Sequence, residues 1–279
     1  MNTISRQDSV RGSVYYAVRG GAGRLFHYAC APHGTEETNV EFAEHVVEIT
    51  DVRRLSQPLR LEVEGASMVH HRSDVRRFYD GEELRRVGYP EAAELVRSAT
   101  GASDVVVFDH NIRGRADRAK APPAGEVRPP VFHIHTDFTA ESAQARVAAV
   151  LGRSPLSGQR MAAINVWRPI AAPLRDCPLA ICDASCVEAR DLLATDLRYP
   201  DRTGQIYYVG FNPAHRWYYA SDMQTDEVWM FKNHDSAADG RARCTPHTAF
   251  VDPTRHPAIV ARESVEFRAF AFFDDRADT

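Results

Sequence analysis

Hydrophobic and polar positions alternate in short runs along much of the chain, and this pattern is strongest after residue 160. The runs are rich in aromatic residues and are separated by Pro, Asn, Asp and Gly, which is typical of β-strands joined by turns. They are MAAINVW, QIYYVGF, HRWYYAS, EVWMFKN and SVEFRAFAFF. The pattern predicts a mainly β fold with flanking helices, built as a barrel or as a double-sheet jelly roll.

Weaker signals in the first half predict additional strands and one loop. A stretch that is first charged and then rich in proline, at 116–130, predicts an exposed loop. Alternating or apolar runs predict strands at 14–18, at 46–63 with a break at Gln57-Pro58, at 105–109 and at 131–137.

Three segments have helical character. Residues 81–98 show it with an interruption at Pro90, and their apolar positions Leu95 and Val96 are expected to face inward. Thr139 is placed to cap a helix in TAESAQARVAAVLG, with Glu141 in the first turn. Helical periodicity returns at 185–197.

Composition excludes several classes of partner. The chain has 279 residues, with 44% hydrophobic, 26% charged and a net charge of −4, and no basic stripe favours nucleic acid. No apolar run approaches the roughly 18 residues of a membrane span, and the N-terminus lacks the pattern of a secretory signal. We therefore expect a cytoplasmic protein without a membrane or nucleic-acid partner.

The cysteines indicate free thiols rather than a metal site. Five cysteines, an odd number, are typical of a reducing compartment when no signal peptide is present. Cys177, Cys182 and Cys186 form a C-x4-C-x3-C pattern that does not match zinc-ribbon spacing, so we expect buried structural thiols. No internal repeat or long linker divides residues 1–279, which favours a single domain.

The sharpest chemical motif is FHIHTDFT, beginning at Phe132. In a strand, side chains at i and i+2 project from the same face, so His133, His135 and Asp137 are expected to point one way. Two imidazoles and a carboxylate suit a metal site, although a solvated strand face would explain the same pattern. A facial triad of two histidines and one carboxylate for Fe(II) needs a histidine from elsewhere in the chain.

The distal histidine has four candidates, of which two are in suitable segments. His247 precedes Arg262 and Ser264 at the start of the last predicted strand, where an arginine and a hydroxyl on one face suit a carboxylate. Such a site would hold the far carboxylate of 2-oxoglutarate. His234 is the rival, but the segment after it has the character of a hairpin turn. The remaining candidates, expected to be surface or loop residues, are His215 and His256.

Five motifs in order resemble a known enzyme family. They are HTDFTAESAQAR, INVWRPI, PLAICDAS, HRWYYASDMQTDEVWMFKNHDS and PHTAF. Over about residues 100–273 the chain resembles the non-haem iron, 2-oxoglutarate-dependent oxygenases grouped with the cephem methoxylase component and gibberellin desaturase-like enzymes. The resemblance implies a double-stranded β-helix core at 101–279, after an N-terminal extension at 1–100 that shapes the substrate pocket and a homodimer contact.

The resemblance also implies an activity and its residues. It implies Fe(II) bound by His135, Asp137 and His247, with 2-oxoglutarate and O2 as cosubstrates and Arg262 and Ser264 as the anchor for 2-oxoglutarate. The enzyme would hydroxylate, desaturate or cyclise a small natural-product or amino-acid-like molecule and release succinate. The resemblance also implies residues that line the substrate or cosubstrate pocket, namely Arg113, Asn165, Trp167, Arg168, Tyr207, Met223 and Arg268.

Two other functions fit parts of the sequence. A zinc hydrolase would use His133, His135 and Asp137, but Phe138 stands where the next histidine of its H-x-H-x-D-H motif belongs. A jelly-roll module that binds without catalysis would keep the fold and lose the metal. The intact H-x-D motif and the Arg262–Ser264 pair argue against such a module.

Overall fold

The computed structural model describes residues 8–19, 23–31, 33–114, 127–153, 158–254 and 260–274. Its strands are β1 (Ser9–Ala17), β2 (Leu25–Tyr28), β3 (Phe42–Asp51), β4 (Ala66–His70), β5 (Asp104–Gly114), β6 (Val127–Arg128), β7 (His135–Thr136), β8 (Met161–Pro169), β9 (Leu179–Cys182), β10 (Leu192–Arg198), β11 (Thr203–Val209), β12 (Trp217–Tyr219), β13 (Glu227–Asp235), β14 (His247–Ala249) and β15 (Glu263–Phe272). Its α-helices are α1 (Gly81–Glu83), α2 (Tyr89–Thr100) and α3 (Ala140–Leu151). The predicted mainly β fold with flanking helices is confirmed.

The strands of the described ranges form two sheets. One has nine strands in the order β1-β3-β12-β9-β14-β7-β11-β10-β2, and the other has six in the order β4-β13-β8-β15-β5-β6. The segment 1–100 contributes β1, β2 and β3 to the first sheet and β4 to the second. That segment is therefore built into both sheets. None of the described helices is long and apolar enough to cross a bilayer.

The two sheets pack face to face around a core of large side chains. Trp167 of β8 and Phe231 of β13 meet Ile181 of β9 in one buried cluster. The outer face of the six-stranded sheet is covered by α2, whose Val96 packs in the same cluster as Phe267 of β15. Strands β7 and β14 of one sheet and β15 of the other place side chains between the two sheets, where they form a site.

Helix α3 packs against β8 and β15, and its start is fixed by a capping box. The Thr139 hydroxyl accepts from the backbone N–H of Ser142 at 3.1 Å, and the Ser142 hydroxyl accepts from the Thr139 N–H at 2.9 Å. Gly152 ends the helix with φ near +67°, a conformation that glycine adopts without strain. The predicted cap at Thr139 is confirmed, and it positions the turn that carries Asp137.

The first predicted helix, 81–98, continues through Pro90. A π-helical turn, Leu84–Gly88, joins α1 to α2. Pro90 follows directly in the first turn of α2, where its missing N–H costs little. Val96 is fully buried, as expected, whereas Leu95 is only partly buried.

Three local predictions are wrong. Residues 192–197 of the predicted helix belong instead to β10, which pairs with β11 along its whole length, so pairing between segments overrides the local helical pattern there. The stretch expected as a strand up to residue 63 turns after β3, since the Arg60 carbonyl accepts from three successive N–H groups, those of Val63, Glu64 and Gly65. Of the strand predicted at 131–137, only β7 is regular. The predicted loop at 116–130 and His256 lie mostly or wholly outside the described residues.

Candidate metal centre

Three side chains with metal-ligating atoms meet between the sheets. His135 of β7 lies directly opposite His247 of β14 in the antiparallel register, and Asp137 lies in the turn between β7 and α3. One ligand atom from each lies within 4.8 Å of the others. His135 Nε2 is 3.8 Å from Asp137 Oδ1, and the two imidazole rings are centred 4.5 Å apart. Among the described residues, this is the one such group of three or more His, Cys, Asp or Glu side chains.

Backbone carbonyls set the tautomer of both histidines. His135 Nδ1 is 2.8 Å from the carbonyl oxygen of His133, and His247 Nδ1 is 3.1 Å from that of Thr245. A carbonyl oxygen can only accept, so each Nδ1 carries the proton and donates it. The lone pair of each neutral ring is therefore on Nε2, the atom available to a metal.

Burial keeps these histidines neutral. It lowers the pKa of His135 to about 4, and it also lowers the pKa of His247 from 6.5. Burial acts to raise the pKa of Asp137, but Arg268 and the two imidazoles outweigh it and hold that pKa below its ordinary value. The centre thus offers two neutral nitrogens and one ionised carboxylate near neutral pH.

The carboxylate of Asp137 is oriented by its neighbours. Asn165 Nδ2 and Arg268 Nε both donate to Oδ2, at 2.8 and 3.1 Å. The Asp137 backbone N–H donates to Asn233 Oδ1 at 2.8 Å. Because both side-chain donors bind Oδ2, Oδ1 is left to face the histidines.

The donor set fits Fe(II). Two imidazole nitrogens and one carboxylate oxygen, held on one side with the other side open, are the ligands of non-haem Fe(II) sites. His133 is not part of this group, because its ring stacks on Phe42 at 3.8 Å between centres and meets Tyr208 edge-on. The expectation that His133 points with His135 and Asp137 is therefore wrong, and only its carbonyl contributes.

A narrow cavity on the histidine side contains two arginines. It is lined by His135, His247, Trp167 and Glu266, and by Arg113 and Arg262. Arg262 Nε donates to Ser264 Oγ at 3.0 Å and Nη1 donates to the Cys177 carbonyl at 2.7 Å. Neither arginine forms an ion pair with a described residue. Burial, with the Arg113 charge close by, lowers the pKa of Arg262 to about 10.

Several other predicted site residues have structural contacts instead. Arg168 donates to the carbonyl oxygens of Thr225 and His71, and Met223 packs in the core cluster of Trp167. Tyr207 lies near Glu141 and Cys244. Arg268, also predicted for the substrate or cosubstrate pocket, binds the Asp137 carboxylate.

The rival histidines lie outside the centre. His234 is buried in β13, with no hydrogen-bond partner for Nε2 among the described residues. His215 is also buried rather than at the surface, because its ring bonds Asp191 and Tyr16. The structure therefore brings His247, and neither of these, to His135 and Asp137.

Sequence reasoning missed Asn233 and Glu266. Glu266 lies between Ser264 and Arg268 in the alternation of β15, so the same two-residue period that selected its neighbours would have found it. Asn233 has no such local signal, because its contact with Asp137 joins two distant segments.

Comparisons with known proteins place this geometry in context. A family model described as "Oxidoreductase/YMDC permease-like domain" matches residues 14–272. The hydroxylase/desaturase efuI of Hormonema carpetanum is 33% identical over 269 residues, covering 88% of this chain and 89% of that protein. The alpha-ketoglutarate-dependent dioxygenase phiK of a fungal species is 32% identical over 238 residues, covering 81% of this chain and 83% of that protein.

A solved structure has the same fold. The iron and alpha-ketoglutarate-dependent endoperoxidase NvfI matches with a TM-score of 0.84 at 24% identity, over 95% of this chain and 98% of that chain. With this match, the predicted jelly-roll core is confirmed.

Proposed function

This chain belongs to the family of the oxidoreductase/YMDC permease-like domain, and we propose that it is an Fe(II)- and 2-oxoglutarate-dependent oxygenase acting on a small natural product. The resemblance stated from its motifs is confirmed by that membership and by the names of its relatives. Hydroxylation, desaturation and cyclisation of the substrate remain its candidate outcomes.

The residues that would hold the iron are His135 and His247, through Nε2, and Asp137, through Oδ1. The two carbonyl-bound Nδ1–H groups keep both rings in the ligating tautomer, and Asn165 and Arg268 keep Oδ1 turned inward. When bound, the iron with 2-oxoglutarate and O2 supplies the oxidation, in which 2-oxoglutarate becomes succinate and CO2.

Arg262 anchors the cosubstrate. Its guanidinium lies in the cavity that His135 and His247 also line, so a keto acid bound at the metal can extend its far carboxylate toward Arg262. Ser264 orients the guanidinium by accepting from Nε. Arg113 lines the same cavity and adds positive charge there.

The proposal rests on two features that lie next to each other. A three-ligand centre with open positions adjoins a buried arginine that forms no ion pair among the described residues. A zinc hydrolase using His133 is not favoured, because that ring is in an aromatic cluster. A module without metal is not favoured either, because the relatives that match most of the chain are named as a hydroxylase/desaturase and an alpha-ketoglutarate-dependent dioxygenase.

The test is spectroscopic. Without oxygen, the protein given Fe(II) and 2-oxoglutarate should develop the visible charge-transfer band of the chelate, and His135→Ala and Asp137→Ala should abolish it. His234→Ala is the matched control and should keep the band. A band that survives both ligand variants, or never forms in the unaltered protein, would rule the proposal out.

A further inference from the structure

A second and larger cavity reaches the candidate metal centre from the carboxylate side. Its volume is ≈ 670 Å³, within the range of small-molecule sites. Asp137 and Arg268 lie at its inner end, whereas the two histidines line the narrow cavity. The two cavities therefore approach the same three ligands from different sides.

The walls of this cleft are largely apolar. Phe108 of β5 and Phe138 lie on one side, and Leu197 of β10 and Ile206 of β11 lie on another. Helix α3 forms a further wall, and its lining residues include the small side chains of Ala145 and Ala149. A bulky apolar molecule would bury these surfaces, and the aromatic rings would contribute most of the contact area.

Two arginines on the walls of the cleft carry positive charges with little or no ion pairing to carboxylates among the described residues. The Arg146 guanidinium lies 5.4 Å from the ring centre of Phe108 and forms no ion pair with a described residue. The Arg202 guanidinium lies 4.1 Å from the ring centre of Tyr199, and its one ion pair with a described residue is a 4.0 Å contact to the neighbouring Asp201.

The other charged groups of the cleft are paired, with the exception of Glu141. Arg24 pairs with Asp196 at 2.6 Å, and Arg268 pairs with Asp137 and Glu266 at 3.1 Å and with Asp109 at 3.4 Å. Glu141 is exposed in the first turn of α3, where the helix dipole favours its negative charge. The free charge of the walls is therefore positive.

We propose that this cleft binds the substrate, and that the substrate is a bulky apolar molecule bearing one anionic group that Arg146 and Arg202 recognise. The inference rests on the proposed function. An anionic group held at the walls would fix how far the apolar part reaches toward Asp137 and the iron, which determines the carbon that reacts.

The test uses two fluorescent probes of nearly the same shape. Anilinonaphthalene sulfonate carries an anionic group, and N-phenylnaphthylamine lacks it. We expect the sulfonate to bind the intact protein more tightly. Arg146→Gln and Arg202→Gln should each weaken the sulfonate about fivefold and leave the neutral probe unchanged. The control Arg97→Gln, on α2, should alter neither.

A blocking variant checks where the probes bind. Ala149→Trp should weaken both probes, and helical circular dichroism with a melting curve verifies that α3 is intact; Ala145→Trp, one turn earlier, serves if it is not. The proposal is overturned if both probes bind unchanged in the blocked protein, or if neither arginine variant separates the sulfonate from the neutral probe.

The probe result and the charge-transfer band separate the two proposals. If the band forms but sulfonate binding does not depend on Arg146 or Arg202, the cleft assignment fails alone. If the probes behave as expected but no band forms, the proposed function fails, and the occupant can no longer be assigned as an oxidised substrate.

Discussion

Arg262 offers the sharpest quantitative test of the site. The substitution Arg262→Gln removes the charge and keeps a side chain long enough to reach Ser264. If Arg262 binds the far carboxylate of 2-oxoglutarate, the variant should bind this keto acid much more weakly. It should hardly change the binding of 2-oxovalerate, which has a methyl group in place of that carboxylate.

The size of the effect follows from the burial of Arg262. The side chain is 3% exposed, and burial with the Arg113 charge lowers its pKa from 12.5 to about 10, which is about 3 kcal/mol against the charged form. A carboxylate placed beside this guanidinium would recover a comparable amount, within the range of about 2–5 kcal/mol for a buried hydrogen-bonded charge pair. We therefore expect 2-oxoglutarate to bind roughly 100-fold more weakly to Arg262→Gln.

The assay is an anaerobic titration of the Fe(II)-loaded protein with each keto acid, followed through the charge-transfer band. The unaltered protein should prefer 2-oxoglutarate to 2-oxovalerate, and Arg262→Gln should lose most of that preference. Arg190→Gln is the matched control, since Arg190 is exposed and pairs with Glu188 at 2.7 Å. Its titration should match that of the unaltered protein.

Two results would refute the reasoning. If Arg262→Gln retains the preference for 2-oxoglutarate, the far carboxylate is bound elsewhere, with Arg113 the next residue to change. If the variant loses both keto acids equally while its melting curve is unchanged, Arg262 shapes the cavity without recognising the charge.

Three further predictions concern metal binding, acid stability and folding. Asn165→Ala should lower Fe(II) affinity about tenfold by freeing the Asp137 carboxylate, and an isothermal titration with unchanged affinity would contradict this. Burial lowers the pKa of His234 to about 4 from 6.5, so the unfolded chain takes up a proton first and stability falls as the pH drops below about 6.5. Urea unfolding of the metal-free protein at about pH 7.5 and at about pH 5 measures how much stability is lost on acidification. In His234→Asn this loss should be about 2 kcal/mol smaller, and an unchanged loss would contradict the prediction. Thr139→Ala should cost about 1 kcal/mol in the same assay and Thr139→Ser much less, whereas equal losses would argue against the cap.

The strands of the second half could be predicted because burial requires apolar residues along them. Strands β8, β13 and β15 lie in the centre of a sheet, so their apolar residues pack on both faces and leave a clear signal. Strand β10 gave a helical pattern because Leu192, Leu193 and Leu197 also fit a helix face. Its pairing with β11 is a contact between segments, and local propensity does not encode it.

The centre was predictable to the extent that its ligands are close in sequence. His135 and Asp137 come from one short motif, and α3 is capped immediately after it, so their proximity is a local property. His247 depends on the register between β7 and β14, which fixes it opposite His135. The same i, i+2 rule gave the wrong direction for His133. The segment before β7 is not a regular strand, and the ring of His133 stacks on Phe42.

Charge balance predicts that Fe(II) and 2-oxoglutarate favour each other's binding at the centre. The Arg268 charge is already shared by Asp137, Glu266 and Asp109, whereas Arg262 meets no carboxylate within ion-pair distance among the described residues. Binding Fe(II) alone adds positive charge near Arg262 and Arg113, and binding 2-oxoglutarate adds two negative charges between them and the metal. Since each ligand offsets the charge of the other in a buried cavity, iron should raise the affinity for 2-oxoglutarate, and 2-oxoglutarate should raise the affinity for iron by the same factor.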